Sequence, residues 1–564
     1  MRRTLAIDLG TTNTVAAFWD GIEARIIPND RGNHLTPSVV AVTGEGELLV
    51  GEAAKNQSLI NPTGTIHAVK RQMGLQRRIN LGSRSFLPQE LSAFILSKVR
   101  KDCEAYLGES LEEAVISVPA YFNEPQRRAT IEAGRLAGLE VLGVLNEPTA
   151  ASLAYAKTIH EREHILVYDM GGGTFDATVL SSDGRDFQVL SSSGDNMLGG
   201  LDFNNMLFEE LAESFWTEER IDMRSDPYLR GQLMEQVERA KLELSSREET
   251  YVAIPFISGN GKPLHLQRKI QRREFYQLIR PYIEKSIRIS RGAAEEAGVE
   301  IDSLIFSGGS SRIPLISELL KGEFGLTPVH QINPDEVVAL GVAVQTSLLK
   351  EEQGSKRLHD VTPLPLGVEI EGGRFMTIVE KNSPIPTSKK SFFTTVADQQ
   401  QSVEIHVLQG LENMAQKNTS LGRFTLSGIK PRPRGEPKIE LEFKIDGDGI
   451  LHVEARDLDS GTIKNLDIHH TRAQEGEEVQ RKGLDDLKAD LEVLIHRGAD
   501  SLEENKDRLD SVFIQEAEAI IAAARKIGKR NDLIAVQQHI IALETLSEEL
   551  RELESLEEEE FGGA

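Results

Sequence analysis

Cysteine is almost absent from this 564-residue chain, where Cys103 stands alone. An intramolecular disulfide and a cysteine-clustered metal site are therefore excluded, and a reducing compartment is the natural setting. In "KVRKDCEAYL" Cys103 reads as an ordinary helix residue. No run of about 18 apolar residues occurs, so no membrane-spanning helix is expected. The start, "MRRTLAIDLG", has the charged beginning of a signal peptide, but Asp8 interrupts its apolar stretch after four residues. Export is not expected, and the cytoplasm is. Positive charge is in deficit, with 64 Lys and Arg against 89 Asp and Glu and a net charge of −25. That balance excludes nucleic acid and anionic membranes as the main partners, since like charges repel. The surplus is uneven: from Gln474 to Ala564, 24 acidic residues face 11 basic ones. A Walker loop is also missing, because no G-x-x-x-x-G-K-[ST] string occurs.

The length suggests three to five domains at ~100–200 residues each. Residues 1–350 alternate apolar strands ("TLAI", "EAVISVP", "HILVYD", "SLIFSGG") with amphipathic helices, the pattern of an α/β domain. Those helices are read as "QELSAFILSKVRKDCEAYL", "EPQRRATIEAGRLAG" and "PYIEKSIRISRGAAEEAG". Residues 351–360 are polar and read as a linker. Residues 361–470 alternate as strands: Val403, Ile405 and Val407 face one way, Glu404 and His406 the other. Asp446-Gly447 and Asp448-Gly449 between two such strands signal a hairpin. Residues 471–564 read as helical, with stripes at Leu484, Leu487, Leu491 and Leu494 and at Leu533, Val536, Ile540, Leu543, Leu550 and Leu553.

One internal repeat carries chemistry. "LAIDLGTTNTVAAF" and "LVYDMGGGTFDATVL" each run strand, Asp, Gly-rich turn, strand, and place Asp8 and Asp169 161 positions apart. Glycines let backbone N–H groups approach phosphate oxygens closely, and Thr11, Thr12 and Thr174 add hydroxyl donors. Carboxylates repel phosphate, so Asp8 and Asp169 make sense with a hydrated divalent cation between. A third Gly turn, Gly308, Gly309 and Ser310, suits an adenosine or ribose face at the open end of a sheet. Lys70 in "HAVKRQMG" reads locally as a surface lysine; the alternative is a charge at a transferring phosphate. Glu147 precedes a proline and reads as a helix-start charge, or as a group beside the metal or the attacking water. Glu238, Lys241 and Ser245 share one helical face, either a solvated ion-pair surface or a polar clamp on adenosine.

Together with "VISVPAYFNEPQRRATIEAGRLAGL", "LNEPTAASLAYA", "LIFSGGSSRIPLI", "NPDEVVALGVAVQ", "NSPIPT", "VEIHVLQGLENMAQKNTSLGRF" and "DGILHVEARD", these strings resemble the DnaK family of seventy-kilodalton heat-shock chaperones. The shortened helical end is similar to that family's compact HscC-type branch. The resemblance implies an α/β actin-like ATPase domain, then an all-β peptide-binding sandwich and a short α-helical lid. It implies ATP and ADP as ligands, with Mg²⁺ held through waters by Asp8 and Asp169, and Asp176 helping to place a monovalent cation such as K⁺. It implies phosphate contacts from Gly10, Thr11, Thr12, Asn13, Gly171, Gly172, Gly173 and Thr174, with Gly199 and Gly200 beside them. Lys70, Glu147 and Thr174 would position the hydrolytic water. Glu238, Lys241, Ser245, Gly308, Gly309, Ser310, Arg312 and Asp335 would enclose the adenosine. Pro119 and Arg127 would relay the nucleotide state.

In the β domain, Val368, Ile370, Phe393, Thr394, Val403, Ile405 and Ile439 would form a pocket for one apolar client side chain, with Glu371 and Val396 as the arch above it. Implied partners are unfolded polypeptides, a J-domain co-chaperone and a GrpE-type exchange factor, in a stress-response setting. Several positions depart from the family pattern. Lys356, Arg357, Leu358 and His359 replace a leucine-rich linker, so weaker docking is expected. Glu371 replaces an apolar arch residue, so a bias toward basic clients is expected, to which the acidic lid would add. Arg374, Leu201, Asn204 and Leu242 also depart from it. Two other classes share the phosphate clamp: a small-molecule kinase of the same actin-like superfamily, and a nucleotide-binding regulator or filament former that scarcely hydrolyses ATP.

Overall fold

The computed structural model describes residues 3–466, except 83, 157, 158, 160, 260, 261, 330 and 350–356. Beyond these it describes 494, 495, 499, 501, 502, 505, 506, 509, 511–527 and 543. The chain forms two compact units, Met1–Ile468 and His469–Ala564.

The sequence repeat becomes a topological repeat. Strand Thr4–Leu9 pairs antiparallel with Asn13–Trp19 and parallel with Glu113–Val118. Strand Glu163–Met170 likewise pairs antiparallel with Phe175–Ser182 and parallel with Ser303–Ser307. Each sheet thus has a hairpin beside a parallel strand, and both Gly-rich turns lie at the carboxyl end of the hairpin's first strand. Helices Pro88–Leu107 and Glu124–Leu136 cover one face of the first sheet, sharing its apolar core. Helices Gly200–Glu219, Pro227–Leu244 and Arg272–Ala297 cover one face of the second. Helices Glu147–Ala154 and Val337–Leu348 share a third core with residues of both sheets, including Ala6, Val15, Val167 and Leu180. With apolar packing on both faces, strand Phe175–Ser182 is buried along its whole length.

Local signals explain the boundaries. "NEPQ" starts a helix through a reciprocal cap: Gln126 N donates to Asn123 Oδ1 at 3.1 Å, and Asn123 N donates to Gln126 Oε1 at 2.9 Å. The helix read from Pro281 begins earlier, at Arg272, and Pro281 lies inside it. Phe275, Ile279, Ile283 and Ile287 form one buried stripe across the proline, so packing outweighs the lost hydrogen bond. Cys103 is buried in its helix, and burial pushes its thiol up to about 12, as suits an unreactive core residue.

The linker differs from its expected form. Residues 350–356 lie outside the described residues, but Arg357–Val361 is a strand pairing parallel with Asp186–Asp195, Leu358 opposite Phe187. Leu358 packs against the core between the sheets. Strand pairing comes from the backbone, so a polar sequence forms it with a single leucine for anchorage.

Two four-stranded antiparallel sheets follow. One runs Arg374–Val379, Leu366–Ile370, Ser402–Gln409, Thr419–Ser427; the other runs Thr387–Phe393, Ile439–Ile445, Leu451–Asp457, Ile463–Leu466. They share one apolar core. The expected hairpin forms at residues 446–450, where Asp446 Oδ1 accepts from the backbone N–H groups of Asp448 and Ile450.

In the second unit, helix Ser511–Ile527 contributes Ala517, Ile521 and Ala524 to a small core with Ile495, Leu502 and Leu543, and Leu494 packs on it. The other stripe positions, Leu484, Leu487, Leu491, Leu533, Val536, Ile540, Leu550 and Leu553, lie outside the described residues. Among the described residues no helix is long and apolar enough to cross a membrane.

Candidate active site

The two hairpins bring Asp8, Asp169 and Asp176 together, and the helix start at Glu147 and the turn at Lys70 add a fourth carboxylate and one ammonium. Asp169 stands directly opposite Asp176 across its hairpin. Asp8 Oδ1 accepts from Ser117 Oγ at 2.7 Å, and Asp169 Oδ2 from Ser307 Oγ at 2.9 Å. Both serines lie on the parallel strands beside the hairpins. Asp176 accepts from the backbone N–H groups of Ala120 and Tyr121 at 3.1 and 3.0 Å. Lys70 forms a buried ion pair with Glu147 and lies 5.8 Å over the Phe122 ring.

Negative charge exceeds positive here, and the proton affinities register it. Burial, then the charge of Glu147, raises Asp8 to about 7, and the same two causes raise Asp176 to about 7. Burial, Glu147 and Asp176 hold Asp169 well above the usual carboxylate range. Burial works against the Lys70 charge, but Glu147, Asp8 and Asp169 outweigh it and leave its pKa raised. A hard divalent cation fits this set, since it would supply the missing positive charge to oxygen donors. Among the described residues, no three His, Cys, Asp or Glu side chains are placed to grip a metal ion directly.

The Gly-rich turns of the two lobes touch. A methyl group on Gly172 would stand 2.1 Å from Thr12 Oγ1, and one on Gly173 2.5 Å from Thr11 Cγ2. Glycine at both positions permits this close approach of the two turns. The segment 199–201 closes on the same turn: Gly200 N donates to Gly171 O at 3.0 Å and Leu201 N to Gly172 O at 2.8 Å. Arg71 joins the lobes. Its Nε donates to Gly173 O at 2.8 Å, and its guanidinium grips both oxygens of Asp202, which also accepts from Gly199 N at 2.8 Å. Sequence reasoning missed Arg71, Asp202, Ser117 and Ser307. Arg71 directly follows Lys70, and Asp202 stands three residues after Gly199, the capping spacing that could have found it.

On the far side, Lys241 Nζ donates to Gly200 O at 3.2 Å and pairs with Glu238 at 2.8 Å. Asn204 donates to the same Glu238 oxygen, and its own Oδ1 has no partner among the described residues. Ser310 Oγ donates to Gly171 O at 2.9 Å. Gly308 adopts φ +77°, and a side chain there would collide with Met170 O and Asp169 Oδ1. Arg312 pairs with Asp335 at 2.7 Å. Ser245 instead returns its hydroxyl to Lys241 O at 3.2 Å, and Leu242 is exposed.

A continuous polar chain leaves the site. The turn after Pro119 gives its Ala120 N–H to Asp176, and the Ala120 carbonyl accepts from Arg127 at 3.2 Å. Arg127 also donates to Asn146 Oδ1 at 2.6 Å and to Asp448 O at 3.5 Å. Asn146 Nδ2 donates to Asp360 Oδ2 at 2.8 Å, and Thr149 Oγ1 to the same oxygen at 3.1 Å. Further contacts join the helix Glu124–Leu136 to the β region: Glu124 N to Gln409 at 2.9 Å, and Arg128 to Leu451 O at 2.9 Å.

In the β region, Val368, Ile405 and Ile439 are buried, and Ile370, Phe393 and Val403 pack half-buried against them. Thr394, Glu371, Val396 and Arg374 are exposed.

A family model described as "Hsp70 protein" matches residues 4–81 and 77–561, nearly the whole chain. This chain therefore belongs to the Hsp70 family, whose members are ATPases that act as chaperones and bind ATP or ADP with Mg²⁺.

Proposed function

We propose that this chain hydrolyses ATP and uses the reaction to capture and release extended apolar segments of unfolded polypeptides. The observation that carries this reading is the unbroken hydrogen-bonded chain from Asp176 through Ala120 and Arg127 to Asn146, Asp360 and Asp448. In this reading the chain gives a contiguous polar route from the carboxylates to the linker strand and the β region, along which coupling would run.

In this reading Asp8 and Asp169 hold hydrated Mg²⁺, and Asp176 helps place a monovalent cation. Gly10, Thr11, Thr12, Asn13, Gly171, Gly172, Gly173 and Thr174 cradle the phosphates. A cation held there would supply charge neutralisation to the phosphates. Lys70 stabilises charge on the transferring group, and Glu147, held by Lys70, orients the attacking water together with Thr174. Glu238, Lys241, Ser310, Gly308, Gly309, Arg312 and Asp335 enclose the nucleoside; Ser245 has a weaker claim, its hydroxyl being engaged by its own helix. Val368, Ile370, Phe393, Thr394, Val403, Ile405 and Ile439 form the client pocket, where apolar burial and strand-like backbone bonds hold an extended segment. Residues 471–564 would serve as the lid, short as in the compact HscC-type branch. A J-domain protein and an exchange factor would time the cycle.

The test is the steady-state ATPase rate with and without an extended apolar peptide. ADP release that needs no added acceptor and rises with peptide supports the reading. ADP release only with a small-molecule acceptor would make the chain a kinase instead.

A further inference from the structure

One end of the two-sheet β region carries every loop that matters to the client pocket. Strand Leu366–Ile370 runs antiparallel to Ser402–Gln409, which runs antiparallel to Thr419–Ser427. Thr387–Phe393 runs antiparallel to Ile439–Ile445, with Phe393 opposite Ile439. The turn 371–373 and the loops 394–401 and 428–438 therefore meet at a single end. Ile370, Phe393 and Val403, the half-buried members of the core, sit at that end too.

The two longer loops are stitched together. Gln399 N donates to Arg432 O at 2.8 Å, Arg434 N to Asp398 Oδ1 at 2.7 Å, and Gly435 N to Thr395 O at 3.3 Å. The turn at Glu371 connects to them through an ion pair, Arg434 Nη2 to Glu371 Oε2 at 3.6 Å. Both side chains are mostly exposed, at 61% and 71%. Val396, on the stitched loop, is 53% exposed.

This changes what Glu371 means. Alone it would favour basic clients, but Arg434 answers its charge, and the same end carries Arg374, Lys430, Arg432 and Lys438 together with Asp398, Glu436 and Asp459, the last paired with Arg432 at 3.0 Å. We infer that Glu371 and Arg434 form an electrostatic clasp across the mouth of the client pocket, which slows release of a bound segment without selecting its charge. The inference rests on the peptide-binding reading above and adds to it a salt-sensitive closing element. A clasp of this kind is weak, because exposed pairs contribute ~0–1 kcal/mol and are screened by salt.

The experiment uses the full chain with ADP and a fluorescein-labelled extended peptide that has a central leucine and no charged residue. Its release into excess unlabelled peptide is followed by anisotropy at about 0.05 and about 0.5 M NaCl, salt concentrations on either side of effective screening. Glu371→Gln and Arg434→Gln are each expected to release the peptide about two- to fivefold faster at low salt, the factor that ~0.4–1 kcal/mol represents. High salt should bring the unsubstituted protein toward the variants' rate. The double exchange Glu371→Arg with Arg434→Glu should restore slow, salt-sensitive release. Single variants that release at the original rate, or a double exchange as fast as the singles, would overturn the clasp while leaving the pocket intact. Failure of the unsubstituted protein to bind the peptide would overturn the peptide-binding reading, and the clasp with it.

Discussion

Lys70 and Glu147, 77 residues apart in sequence, form an ion pair buried to within 10% of full exclusion from solvent. Burying two charges is costly, and such a pair is weak evidence for stability. Its place among Asp8, Asp169 and Asp176 gives it another purpose. Lys70 is the cation of the cluster, and Glu147 fixes where that cation points.

Replacing Lys70 by alanine separates binding from chemistry. The Gly-rich turn at 171–174 and the segment 199–201 are held by backbone bonds that do not involve Lys70. Lys70→Ala should therefore retain ATP binding, while single-turnover hydrolysis falls about 10²–10³-fold, the usual effect of removing one charge-stabilising donor. Quenched-flow measurement with radiolabelled ATP reads both quantities. Turnover near the original rate would remove Lys70 from the hydrolytic set.

Arg71 makes a different prediction because it sits beside Lys70 yet bonds to the second Gly-rich turn and to Asp202. Its bonds to Gly173 O and Asp202 tie the segment Val69–Gln72 to the second Gly-rich turn and to the start of the helix at Gly200. Hydrogen bonds to charged groups contribute ~1.5–3 kcal/mol. Arg71→Ala should weaken nucleotide affinity about tenfold or more, and Arg71→Lys should restore little, since an ammonium cannot reproduce the planar fork. Titration with a fluorescent ATP analogue decides this; an unchanged affinity would reduce Arg71 to a surface contact.

Much of this was legible in sequence, for identifiable reasons. A strand, an Asp and a Gly turn repeated 161 positions apart are local patterns, and local patterns fix the hairpins whose turns touch at Gly172 and Thr12. Lys70 looked like a surface lysine because its burial depends on Glu147 and Phe122, which only tertiary packing brings near. The same limit hid Ser117 and Ser307, whose partners sit on neighbouring strands more than a hundred residues away. The linker was read as weak because its side chains are polar. The backbone pairing of Arg357–Val361 and the contacts of Asp360 are what a leucine count does not detect.

The carboxylate cluster also predicts how stability follows pH when neither nucleotide nor metal is present. Asp8 and Asp176 are raised in the folded protein from 3.8 to about 7. A carboxyl raised on folding binds more protons folded than unfolded between those values. Its contribution therefore grows as pH falls below 7 and is lost as pH rises through 7. Calorimetry of the nucleotide-free protein in chelator should show a higher melting temperature at about pH 6 than at about pH 7.5. Asp176→Asn should flatten that slope. Equal slopes for variant and parent would show that the cluster does not control it.

Asp360 carries the prediction that bears on coupling. One of its carboxylate oxygens accepts from both Asn146 and Thr149, and its other accepts from Val361 N–H. Asn146 immediately precedes Glu147 and also accepts from Arg127, so Asp360 touches the ion-pair residue's own helix start and the polar chain leading to Asp176. Asp360→Asn keeps the shape but removes the charge and one acceptor, leaving Asn146 and Thr149 to compete for a weaker partner. The unstimulated ATPase rate should stay within about twofold, because the carboxylates, Lys70 and the glycine turns do not contact Asp360, and a loss of ~1 kcal/mol or more at its hydrogen bonds falls on docking of the linker strand. Stimulation by an apolar peptide should fall to nearly none. If the Asn variant is stimulated as fully as the parent, the nucleotide site communicates with the β region by another route, and the contacts of Arg127 with Asp448 and of Arg128 with Leu451 become the ones to break.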